Sequence, residues 1–85
     1  MAARGHNAAM EALDALRHAQ AATDTSNAEL ARACGVSRQS VTNMYARDVD
    51  PRVSTFAAMC AAMGCRVELV TPAGERLPID PPGRG

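Results

Sequence analysis

Between positions 26 and 37 the chain gives two helix starts and one helix stop, and no other stretch limits its fold so tightly. Ser26-Asn27-Ala28-Glu29 is a capping box. The Ser26 hydroxyl can accept the backbone N–H three residues on, and Glu29 can reach back to the N–H of Ser26. Gly35 ends the helix so begun, as a left-handed C-terminal residue does. Ser37 is a second cap. One short helix is therefore expected over 27–34 and another from Arg38, joined by a tight turn.

Two helices joined this tightly cross closely and steeply. Ala31, four residues before Gly35, leaves room for the crossing, where a larger side chain would hold the helices apart. Leu30, Cys34, Val36, Val41 and Met44 are the apolar residues expected to lock the pair. This is the spacing of a helix-turn-helix, a unit that holds its second helix rigidly and exposes that helix's N-terminal residues.

The flanks read as further helices and then a change of period. Residues 7–22 are Ala-rich and free of Gly and Pro, with Leu13 and Leu16 beside Ala9 and Ala12 as one stripe. They predict a first helix capped by Asn7. The helix from Arg38 is expected to run to about residue 47. A fourth is expected near 53–63, with Val53, Phe56, Met59, Cys60 and Met63 on one face and Gly64 at its end. Residues 65–70 alternate and are β-branched, so they predict a strand; 71–75 are turn chemistry and 76–79 a second short strand. The fold class is mainly α, about four helices followed by a strand or hairpin. The organisation expected is a disordered 1–6, a helical domain over 7–64, a strand or hairpin over 65–80 that serves dimerisation, and a disordered Pro/Gly tail over 81–85. The expected core is Leu13, Leu16, Leu30, Ala31, Val36, Val41, Met44, Phe56, Met59 and Met63.

Composition limits what this domain can do alone. The chain has 85 residues and is 47% hydrophobic, but 18 of its residues are Ala, with one Phe, one Tyr and no Trp. A chain of this size buries only about 60% of its unfolded surface, so a second copy is expected to complete it. Nine basic residues, all Arg, balance nine acidic ones, which excludes a strongly cationic tail protein. Nucleic-acid binding needs only a local excess, and 26–52 holds Arg32, Arg38, Arg47 and Arg52 against Glu29, Asp48 and Asp50. Three cysteines, Cys34, Cys60 and Cys65, suggest no disulfide framework and read as reduced thiols in a cytoplasmic protein. No apolar run is long enough to span a membrane, and the N-terminus lacks the apolar core of a secretory signal. With Cys60 and Cys65 spaced C-x4-C, and Cys34, His6 and His18 elsewhere, no paired metal motif is present, and no metal or cofactor is expected. There is no Gly-rich phosphate loop and no nucleophile beside a His; Ser37 is explained by capping, so no enzyme is expected.

The stretch NAELARACGVSRQSVTNMYA, residues 27–46, resembles the helix-turn-helix of lambdoid phage repressor and Cro proteins and the wider Xre family. The likeness continues through 51–64, PRVSTFAAMCAAMG, which resembles that family's later helix, so it covers about residues 9–64. The chain departs from the family at Thr25, where an apolar residue usually staples the helix, and at Asn27, usually Gln. It departs again in carrying Cys34 and in ending on a strand in place of a small fifth helix.

The resemblance implies a transcriptional regulator, a repressor, that binds an inverted repeat in double-stranded DNA as a homodimer, in a bacterial cytoplasm or in that of a phage host. It assigns base reading to Arg38, Gln39 and Asn43, and Thr42 on the same exposed face is expected to read bases with them. Arg can fork onto guanine, and Gln or Asn onto adenine. Backbone contacts are expected from Ser26, Asn27, Ser37, Ser40, Arg47 and Arg52. Residues 65–70 are the expected dimer element, through Arg66, Val67, Glu68, Leu69 and Val70; antiparallel self-pairing would set Arg66 of one copy near Glu68 of the other, a pair worth ~0.2–1 kcal/mol. The alternative is that 65–70 folds back only on 76–79 and a dimer forms through the fourth helix or not at all. Small proteins of this kind that end in a strand also resemble antitoxins, which bind a cognate toxin protein and regulate their own operon.

Overall fold

The computed structural model describes residues 10–80 as α1 (Ala12–Thr23), α2 (Asn27–Cys34), α3 (Arg38–Ala46), α4 (Val53–Ala62), β1 (Val67–Val70) and β2 (Arg76–Ile79). Four helices followed by an antiparallel hairpin is the expected fold. The disorder expected over 1–6 and 81–85, the Asn7 cap and the part given to Ala9 lie outside the described residues. No helix among the described residues is long and apolar enough to cross a membrane.

The local signals act as chemistry requires. Ser26 Oγ accepts from the Glu29 N–H at 3.1 Å, and the Ser26 N–H donates to Glu29 Oε1 at 2.8 Å. Ser37 Oγ accepts from the Ser40 N–H at 3.0 Å. All four helices stop the same way, on a left-handed residue: Asp24, Gly35, Asp48 and Gly64, with φ of 54°, 70°, 55° and 74°. The next N–H, from Thr25, Val36, Val49 or Cys65, donates to the carbonyl of Gln20, Ala31, Met44 or Cys60 at 2.8–3.0 Å, which closes the turn as a Schellman motif. At Gly35 a Cβ would meet nothing within 4 Å, so the backbone angle and not space demands glycine there.

Helix α1 begins at Ala12, later than its alanines predict, with Glu11 extended as the N-cap. Alanine has helix propensity but brings little surface to bury, and short helices in water hold where they pack. Met10 is exposed; the first residue of α1 to be buried is Leu13.

The largest fully enclosed side chains come one from each helix: Leu16, Leu30, Val41 and Met59. Leu13, Ala31, Cys60 and Met63 complete the cluster, with Met44 and Phe56 half-buried against it. Helix α2 packs on both α3 and α4, and α1 lies on α4. Two expectations are corrected. Val36 is 45% exposed, because it follows the left-handed Gly35 and its contribution to the turn is its backbone N–H. Val53 is exposed too, since it is the first residue of α4 and precedes the turn that reaches the core. Ala57, absent from the expected core, is buried; with Ala61 it faces Val67, Pro78 and Ile79 of the hairpin.

The hairpin pairs Val67 with Ile79, Glu68 with Pro78, Leu69 with Leu77 and Val70 with Arg76. The strand starts at Val67, two residues later than its alternation predicts. Cys65 and Val67 pack against the helical core, but Leu69, on the same face as Val67, is 59% exposed. Only the inner half of β1 lies over the helices, and the outer half runs past them.

Candidate nucleic-acid interface

Helix α3 is gripped from behind and bare in front. Val41 is buried, and Met44 and Tyr45 pack against the core. On the outer side Ser37, Arg38, Gln39, Ser40, Thr42 and Arg47 are exposed and Asn43 is half-buried. No carboxylate occurs between Ser37 and Arg47. The four residues expected to read bases therefore fall on one helix and within two turns. Gln39 Nε2 donates to Asn43 Oδ1 at 3.0 Å, which aligns the two amides and leaves the Gln39 oxygen and the Asn43 nitrogen to pair elsewhere. Ser37 and Ser40 share a hydroxyl contact of 3.0 Å at the start of the helix. Arg52, the N-cap of α4, is exposed.

Two of the expected backbone contacts have prior engagements. Ser26 has both its hydroxyl and its N–H committed to Glu29. Accepting the backbone N–H and then the hydroxyl of Ser26, with Arg32 nearby, holds the Glu29 carboxyl below its ordinary range. A charged carboxylate thus sits beside Ser26. Asn27 is half-buried; its Oδ1 accepts from Gln20 Nε2 at 3.0 Å and its Nδ2 donates to Thr42 Oγ1 at 3.4 Å.

That network contains residues that sequence reasoning missed. Gln20 on α1 also donates from Nε2 to the Thr25 carbonyl at 3.0 Å, and its Oε1 accepts the Tyr45 hydroxyl. The Arg17 guanidinium lies over the Tyr45 ring, 4.9 Å from its centre. Burial raises the Tyr45 pKa and Arg17 opposes the rise. Helix α1, the start of α2 and α3 are thus tied by one polar chain. No local signal marks it, because its members are up to 25 positions apart.

At the other end of the molecule, Glu68 pairs within its own chain with Arg66 at 3.8 Å and Arg76 at 3.3 Å. Burial pushes the Cys34 and Cys60 thiols up, and the neighbouring Cys65 adds to the rise at Cys60, so both stay protonated.

A family model of the Cro/C1-type HTH DNA-binding domain matches residues 15–68. The chain belongs to that family. No curated protein and no solved structure matches it. The match runs from within α1 into β1, so it takes in the helix-turn-helix and the later helix. Most of the hairpin lies outside it. The Cro/C1-type domain is a DNA-binding domain, and the helix-turn-helix that presents the bare, carboxylate-free face of α3 lies within the matched residues.

Proposed function

We propose that the protein is a transcriptional repressor that binds an inverted-repeat operator as a homodimer, with α3 of each copy in the major groove. The carrying observation is the outer face of α3, polar and free of carboxylates while the opposite face is locked by Val41. Arg38, Gln39, Asn43 and Thr42 would face base edges. Asn27, Ser37, Ser40, Arg47 and Arg52 would face phosphates, with Ser26 a weaker member because Glu29 holds it. The activity is binding, with no catalytic step.

The hairpin supplies the second copy's seat. Leu69 and Leu77 are cross-strand partners, and with Val70 they leave an exposed apolar end. The two strand edges differ. The Thr71 N–H donates to the Glu75 carbonyl, so in this register odd-numbered residues of β1 bond to β2, while residues 66, 68 and 70 aim their backbone groups outward. The outer edge of β2 lacks a donor at Pro78, which disfavours pairing there. The outer edge of β1 is open, and a two-fold pairing of 66 with 68 would use its outward groups. Because Glu68 already has two arginine partners in its own chain, the apolar end carries more of this contact than the charge pair. The same exposed end favours a second reading, an antitoxin whose hairpin meets a toxin; a toxin-sized reading frame next to the gene would distinguish it.

The test is selection from a pool of random duplexes with the full chain, followed by sequencing. An enriched inverted repeat, its half-sites about one helical turn apart, is expected. A pool that stays random contradicts the proposal.

A further inference from the structure

Gln20 lies outside the helix-turn-helix, yet both ends of its side-chain amide are committed. The Thr25 carbonyl, 3.0 Å from Nε2, fixes which end is which. A carbonyl oxygen only accepts, so the Gln20 atom facing it is the nitrogen. The oxygen of Gln20 therefore faces Tyr45, whose hydroxyl donates to it. The second hydrogen of Nε2 meets Asn27, and a nitrogen that only donates requires the Asn27 oxygen there. Asn27 is thereby turned with Nδ2 away from α1 and toward Thr42. One hydrogen of Nδ2 serves Thr42 and the other remains. Thr42, accepting from Nδ2, keeps its own hydroxyl hydrogen to donate. Donor polarity thus runs outward from Gln20 through Asn27 to the recognition helix.

We infer that Gln20 is a positioning residue for DNA binding: it holds the Asn27 amide nitrogen-outward, so that the start of α2 offers a donor to a phosphate oxygen. Phosphate oxygens only accept at neutral pH, and an Asn27 turned the other way would set oxygen against oxygen. The inference rests on the DNA-binding reading above and names a residue of α1, outside the helix-turn-helix, on which that reading depends.

The test is a double-mutant cycle on the full chain, with a short duplex of random sequence as the probe, since a phosphate contact needs no operator. Gln20→Met keeps the length of the side chain and removes its donor and acceptor. It should weaken binding roughly three- to tenfold in the natural chain but less than about twofold in an Asn27→Ala background. Equal losses in both backgrounds would mean that Gln20 acts through the fold alone and would overturn the inference. If Gln20→Met does not fold, Gln20→Glu serves the same cycle. Its added charge acts alike in both backgrounds and cancels, while a carboxylate, which only accepts, would turn Asn27 round.

A nitrogen-15 spectrum gives an independent readout. The Asn27 side-chain NH2 signals should move when duplex is added to the natural chain and stay still in Gln20→Met. If they stay still in the natural chain while backbone amides of α3 move, the inference fails and the DNA-binding reading stands. If no amide moves with any duplex, both fail.

Discussion

Ser26 and Glu29 do their main work for the start of α2, and this sets how the domain responds to acid. The Glu29 carboxyl is held below its ordinary value by the Ser26 N–H and hydroxyl. A depressed folded-state value means stability that is present above the ordinary carboxylate range and is lost as pH falls through the lowered one. Thermal melts of the natural chain should decline through that acidic window, and Glu29→Gln should flatten the decline there. Ser26→Ala should cost about 1 kcal/mol at neutral pH in denaturant unfolding. On α3, Gln39→Ala and Asn43→Ala should each cost ~1–3 kcal/mol on the selected operator and relax specificity at one base pair. Because the two amides are bonded to each other, the double variant should lose less than the sum. Arg52→Ala should instead weaken all sequences alike and reduce the salt slope by about one.

Helix boundaries follow from chemistry within a few positions, and this decides what could be read in advance. The caps at Ser26 and Ser37 and the stop at Gly35 were legible because each is satisfied by neighbours in sequence. So was the outward face of α3, which follows from the spacing of Val41 and Met44. The exposure of Val36 and Val53 was not legible, since hydrophobicity says nothing of whether a turn carries a side chain to the core. Ala57 is buried on the side of α4 that shares a cavity with the hairpin, which the period of α4 alone does not reveal. Gln20 and Tyr45 carry no local mark at all. Three substitutions probe the elements. Ala31→Leu should overpack the crossing of α2 and α3 and cost ~1–3 kcal/mol; an unchanged melting temperature would argue against that crossing. Gly35→Ala, where φ is 70°, should cost about 1–2 kcal/mol through backbone strain without a clash. Asp48→Gly relieves a left-handed residue at the end of α3, and should raise the melting temperature.

The molecule as a whole combines a small helical core with a hairpin that covers only part of it. An apolar groove lined by Ala15, Ala19, Phe56, Cys60 and Val67 runs between α1, α4 and β1, so the hairpin covers the helical core only in part. A two-stranded hairpin is marginal alone in water, which fits an element completed by a second copy. Leu69→Lys with Leu77→Lys changes two exposed side chains; it should leave the melting of the helical domain nearly unchanged while sedimentation shows monomer. Truncation after Gly64 should likewise give monomer and lose operator affinity; a truncated chain that remains a dimer with full affinity would place the dimer contact elsewhere.

The proposed function rests on base reading by the exposed start of α3. Its most direct test repeats the selection from random duplexes with Arg38→Ala beside the natural chain. The expected result is the same inverted repeat with one base pair of each half-site relaxed and the rest intact. Recovery of an unchanged motif, with that base pair as sharply selected as before, would contradict the claim.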